Sequence, residues 1–118
     1  MGSMREAYEK IGADYNGASV RLMGEEMLAR FALKFLDDES MDKLEAAMAA
    51  GDVEGAFMAV HTLKGVSQNL GFDNLYEPAV VVTEALRGAD AVDGAREGMH
   101  ALQQQYAATM SALRETAE

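Results

Sequence analysis

The sequence predicts an all-α fold, an antiparallel four-helix bundle with one or two short N-terminal helices. Three observations predict it. The composition is rich in Ala, Met, Leu and Glu, with 49% hydrophobic but only 7% aromatic residues, a balance that favours helix over sheet. Glycines punctuate the chain into segments of helical length. Within those segments apolar residues recur at spacings of three and four, most clearly at Met99, Leu102, Tyr106, Met110 and Leu113. At 118 residues a single domain is expected, one able to bury somewhat under ~70% of its unfolded surface. Residues 4–118 are assigned to it, and Met1-Gly2-Ser3 reads as an expression-tag remnant before a native Met4.

A first short helix runs from Met4 to about Gly12, carrying Tyr8 and Ile11; an Asp14 to Gly17 turn and a second short segment, Ala18 to Met23, follow. From Glu25 to Ala50 the pattern is helical throughout, with Glu25 and Glu26 placed where the helix dipole favours negative charge and Gly51 at the end. This stretch is either one long helix or two, the second capped by Ser40 after the Asp37-Asp38-Glu39 interruption. Asp52 is an N-cap for the next helix, which stops at Gly71 in a left-handed C-terminal position. Asp73 caps a further helix reaching Arg87, in which Pro78 removes a backbone donor and should kink the first turns or delay the start. The last helix begins near Ala91 to Asp93 and continues to about Thr116. Met48 and Met110 are expected in the core, where methionine fills irregular gaps.

The formal charge of −10, from 20 acidic and 10 basic residues, repels nucleic acid and anionic lipid, so neither is an expected partner. No apolar run reaches the ~18 residues a bilayer span requires and no signal peptide opens the chain, which points to a cytoplasmic protein. Without cysteine there are no disulfides and no thiolate metal sites. Nor is there a glycine-rich phosphate loop of the nucleotide-binding kind, so an autonomous kinase is not expected.

The most informative stretch runs from Val60 to Gly71. At 100° per residue the neighbours of His61 on the helix surface are Gln68, Glu54, Gly65, Met58 and Lys64, while Ala59, Leu63, Val66 and Leu70 lie opposite. The imidazole therefore faces solvent. A free imidazole titrates near pH 6.5 and at neutral pH offers a nitrogen lone pair as nucleophile, which suits phosphoryl chemistry. An arriving phosphoryl group brings about two negative charges. Lys64, the only basic residue between Lys43 and Arg87, stands one turn away on the same face. At about 4 Å and an effective dielectric near 20, opposite unit charges attract by roughly 4 kcal/mol before desolvation. Gly65 costs the helix roughly 0.5–1 kcal/mol relative to alanine and so calls for a steric reason, namely clearance for a partner's loop beside the imidazole. Gln68, one turn further, can hydrogen-bond a phosphoryl oxygen or a partner backbone.

These residues, His61-Thr62-Leu63-Lys64-Gly65 with Gly71 six positions on, resemble the signature of histidine-containing phosphotransfer (HPt) domains. The resemblance extends over the chain, since such domains are four-helix bundles of about this length with the histidine in mid-helix. It implies His61 as phosphoacceptor, Lys64 as its electrostatic partner, Gly65 as the clearance position and Thr83 as the polar residue supplied by the following helix. It further implies receiver domains and hybrid sensor histidine kinases as partners, a carrier that is not itself an enzyme, and magnesium supplied by the partner with no cofactor in this chain. A monomer is expected. The reading from another class is a helical adaptor that binds signalling partners without being phosphorylated.

The segment Met27, Leu28, Phe31, Ala32, Leu33, Phe35 and Leu36 is apolar around most of its circumference, more than one buried stripe requires. An exposed subset including Phe31 or Phe35 is expected to join Met58, with Glu54 nearby, as a docking patch beside His61. His100 reads as an ordinary surface histidine. One histidine with the distant Glu54 does not make a metal site.

Overall fold

The computed structural model describes residues 3–117 and is helical throughout, with no strand among them. The helices are α1 (Met4–Ile11), α2 (Tyr15–Arg21), α3 (Glu25–Lys34), α4 (Ser40–Ala50), α5 (Val53–Asn69), α6 (Asp73–Leu86) and α7 (Arg96–Ala117), with 3-10 turns at Phe35–Asp37 and Asp93–Ala95. Helix α5 packs between α4 and α6, α6 packs on α7, and α1 lies against α7. The core between them is built from Leu28, Leu44, Leu63, Leu75, Leu102 and Leu113, all fully buried. Met48 and Met110 are buried there, as their spacing predicts.

Local chemistry explains most boundaries. Ser3 accepts the Glu6 N–H while the Glu6 carboxylate accepts the Ser3 N–H, a reciprocal cap that starts α1. Ser3 thus takes part in the fold, whereas Met1 and Gly2 of the supposed remnant lie outside the described residues. Asp14 to Gly17 is not a turn before α2 but its beginning, because the Asp14 carboxylate accepts the Gly17 N–H at 3.0 Å. The Glu25 to Ala50 stretch is two helices. Asp38 sits in extended backbone and its carboxylate accepts the Ser40 N–H at 2.9 Å, so the capping group is Asp38 and not Ser40. Asp73 likewise stands in the first turn of α6 instead of capping it, where its charge complements the dipole without a side-chain cap bond. Pro78 does not delay α6. It occupies the sixth position and leaves the Asn74 carbonyl without its i+4 donor.

Phe35 is a core residue, which corrects its expected place in an exposed patch. It is 3% exposed, and its ring meets those of Phe72 at 5.4 Å and Tyr106 at 6.0 Å, both edge-on. Phe35 continues the buried stripe of Leu28 and Ala32 at helical spacing, which turns its ring onto partners far away in sequence. Phe31, one helical turn earlier, is 38% exposed. Phe35→Ala is therefore expected to cost about 3–5 kcal/mol, and Phe31→Ala less than about 1 kcal/mol, in urea denaturation of the two variants. Equal losses would contradict this division.

The aromatic cluster continues to Tyr8, which packs on Phe72 and Tyr15 and donates its hydroxyl to the Leu70 carbonyl at 2.6 Å. Burial pushes this phenol well above its ordinary pKa, and the hydrogen bond holds α1 to the C-terminal end of α5.

Candidate functional site

Helix α5 carries the site, and both of its ends are fixed by this chain. At the N-terminus the Asp52 carboxylate accepts the Gly55 N–H at 3.0 Å, and a side chain at Gly55 would collide with that carboxylate. At the C-terminus Arg21 of α2 donates to the carbonyls of Gln68 and Asn69, both at 3.0 Å, placing a cation at the negative end of the helix dipole. Between these ends Ala56, Ala59, Val60, Leu63 and Ser67 face the core. His61, Thr62, Gly65 and Gln68 are exposed and Lys64 is half-buried, the division that the helical spacing predicts.

The His61 imidazole makes no hydrogen bond among the described residues, so neither ring nitrogen is committed within the fold. Its one close aromatic neighbour is Phe57, a turn earlier, whose ring lies nearly parallel at 13° with centroids 6.1 Å apart. Lys64 has no carboxylate within ion-pair distance among the described residues.

The two motif glycines have different causes. A Cβ on Gly65 would meet nothing within 4 Å among the described residues. Its own fold therefore gives no reason for glycine there, and the space is open to another molecule. Gly71 has φ +73°, and a Cβ there would stand 2.5 Å from the Asp14 carbonyl oxygen and 2.9 Å from the Ala18 Cβ. It is a packing glycine that lets α2 approach the end of α5, and the Asp14 N–H donates to its carbonyl at 2.7 Å.

Thr83 does not serve this face. It is fully buried and donates its hydroxyl to the Ala79 carbonyl at 2.7 Å, because it shares the inner side of α6 with Ala79, Val82 and Leu86. Exposed at this end of α6 are Glu84 and the C-cap residue Arg87, which the sequence reading missed. Arg87 Nη2 meets Glu84 Oε2 at 3.0 Å, and its guanidinium lies over the Phe57 ring, 5.3 Å from the centroid. The Arg87 hydrogen bonds, then the Arg87 charge and more weakly the Lys64 charge, hold the Glu84 carboxyl below its ordinary range. Glu84 is therefore within the field of both cations. The available signal was Phe57 at i−4 from His61, but placing Arg87 above it requires the packing of α6 on α5.

Of the expected docking residues, Met58 is 58% exposed and lines a groove against Lys43, Ala46 and Ala50 of α4. Phe31 lines a separate groove with Lys34, Val66 and Asn69 near the C-terminal end of α5. The two do not share a groove. Glu54 is exposed and borders, with Phe57 and Arg87, a cleft of about 580 Å³ on the α6 side. His100 is exposed on α7. Among the described residues no cluster of three metal-ligating side chains occurs, and no helix is long and apolar enough to cross a membrane.

An exposed imidazole with no hydrogen-bond partner among the described residues, on a helix that also carries Lys64 and the open Gly65, is free to engage another molecule. The family model of the Hpt domain matches residues 26–116, which include His61 and everything placed around it. The chain belongs to the Hpt family. Hpt domains are phosphotransfer carrier modules of two-component signalling that work with receiver and kinase components. Helices α1 and α2 precede the matched segment, yet they supply Arg21 and Tyr8, which fasten the C-terminal end of α5. No curated protein and no solved structure shows significant similarity to this chain.

Proposed function

We propose that His61 is the phosphoacceptor of this Hpt protein and shuttles a phosphoryl group between receiver-domain aspartates in a multistep phosphorelay. In the accepting step an imidazole nitrogen attacks the phosphorus of an aspartyl phosphate. The P–N bond forms, the acyl P–O bond breaks, and the aspartate leaves as carboxylate. Magnesium for that chemistry belongs to the receiver domain. The observation that carries the reading is the exposed, uncommitted imidazole with Lys64 one turn away and, among the described residues, no carboxylate within ion-pair distance of that lysine. A loose transition state needs positioning and charge stabilisation more than covalent assistance, and those are what Lys64 and the shape of α5 provide.

The short connections between α4, α5 and α6 support an antiparallel bundle as the scaffold. Cytoplasmic location, a monomeric state and donation by a hybrid sensor kinase complete the proposal. The test is incubation with a phosphorylated receiver domain. The chain should gain an acid-labile, base-stable phosphoryl group, and Lys64→Glu should slow the gain at least tenfold. A chain that binds the receiver but never gains the label would favour the adaptor role instead.

Gly65→Ala separates partner clearance from chemistry. Since no described residue borders that position, the variant should be as stable as the parent or up to ~1 kcal/mol more stable. Transfer from a receiver domain should fall about tenfold or more, because a 1 Å displacement of reacting groups already costs on the order of 10²-fold. Labelling by the small donor phosphoramidate should be unchanged. Parallel losses with both donors would refute the clearance role.

A further inference from the structure

The chain contains no cysteine, so its sulfur chemistry belongs to methionine alone. Most of that sulfur is out of reach: Met4, Met41, Met48, Met99 and Met110 are packed in the core, none more than 7% exposed. Among the described residues two methionine side chains stand well out in solvent, Met23 at 89% and Met58 at 58%. Their places differ. Met23 lies in the short connection between α2 and α3. Met58 is fixed in α5 one turn before His61, where its carbonyl accepts the Thr62 hydroxyl at 3.0 Å. Its groove is walled by Ala46, Ala47 and Ala50 of α4.

We infer that Met58 is a site of reversible oxidation by peroxides, and that its sulfoxide slows phosphoryl delivery by a receiver domain while leaving the His61 imidazole intact. This rests on His61 being the phosphoacceptor. In the oxidation the thioether sulfur attacks one oxygen of hydrogen peroxide, the S–O bond forms and the O–O bond breaks. The attacked oxygen gives its proton to the departing hydroxide, which leaves as water. Sulfur loses two electrons and the peroxide gains them. A thioether needs no deprotonation to react, so access decides which methionine is oxidised, and Met58 has it.

The consequence follows from position. One helical turn is about 5.4 Å, so a protein that brings a phosphoryl group onto the imidazole also covers the side chain a turn away. A thioether is apolar and flexible, and it adapts to such a partner. The sulfoxide is polar, and its oxygen must shed water against alanine methyl groups when the partner arrives. In the free protein that oxygen stays solvated, so oxidation costs docking and leaves the fold alone.

The test treats the full chain with hydrogen peroxide, removes the peroxide with catalase and maps oxygen addition by peptide mass spectrometry. Met23 and Met58 should gain one oxygen each at least tenfold faster than the buried methionines. The oxidised chain should then accept phosphoryl from a phosphorylated receiver domain at least threefold more slowly. Its labelling by phosphoramidate and its melting curve should be unchanged, and the two methionine sulfoxide reductases, one for each epimer, should restore transfer. Met23→Leu should lose transfer on oxidation as the parent does, whereas Met58→Leu should stay within twofold of its own untreated rate. A loss below threefold with Met58 oxidised, a Met58→Leu chain as sensitive as the parent, or a loss the reductases do not reverse overturns the proposal while leaving His61 as phosphoacceptor. A parallel loss of phosphoramidate labelling places the damage at the imidazole and overturns it too. An untreated parent that takes label at His61 from neither donor removes the phosphoacceptor reading, and the role of Met58 with it.

Discussion

His61→Gln is expected to abolish phosphoryl transfer from a receiver domain, by at least 100-fold in initial rate, while leaving the melting curve in place. The imidazole is exposed and takes part in no hydrogen bond among the described residues, so its loss leaves no buried group unpaired. Surface changes of this kind move stability by about ±0.5 kcal/mol. Glutamine keeps a polar side chain of similar length but has no nucleophilic nitrogen, since its amide lone pair is delocalised. A stopped-flow or gel-based transfer assay beside a thermal melt checks both halves. Residual transfer within tenfold of the parent would move the acceptor to another residue.

The second large effect is on the fold. Gly71→Ala is expected to destabilise the protein by about 2–4 kcal/mol, because a left-handed backbone costs an L-residue roughly 1–2 kcal/mol and the new methyl group must also displace a backbone carbonyl. That carbonyl belongs to Asp14, whose N–H is bonded to Gly71 and whose carboxylate starts α2, so relief by movement would disturb the cap as well. For a chain of this size the melting temperature should fall by about 10 °C. Unlike Gly65→Ala, the variant should transfer phosphoryl at near-parental rate at temperatures where it remains folded. A stable Gly71→Ala with impaired transfer would mean that this glycine, too, serves the partner.

The contrast between these glycines shows where reading the sequence succeeds. Asp52 and Gly71 bound α5 as expected, and the periodicity around His61 sorts inner from outer residues, because a regular helix converts spacing directly into direction. Gly65 was visible as a departure from helix preference and Gly71 as a left-handed helix end. Only the backbone angles and the neighbours of each separate an open position from a crowded one.

Positions close together on one helix surface were harder to separate. Phe31 and Phe35 are four residues apart and look equivalent, yet Phe35 lies in line with the buried Leu28 and Ala32 and its ring meets Phe72 and Tyr106, while Phe31 is exposed. The capping of α4 by Asp38 instead of Ser40 was missed as well, since two cap-forming residues stood two positions apart and local geometry chose between them. Thr83 was assigned by its place along α6, but the packing phase of α6 turns it inward and leaves Glu84 and the C-cap residue Arg87 exposed. The Phe57 and Arg87 arrangement spans two helices and becomes visible only once α6 is laid on α5.

The most direct measurement is to map the phosphoryl group after transfer from a phosphorylated receiver domain, using mass spectrometry of peptides kept at alkaline pH and phosphorus–nitrogen coupling in NMR. A single phosphoryl on an imidazole nitrogen of His61 is the predicted result. Label on His100, on a carboxylate or on no residue of this chain would contradict it.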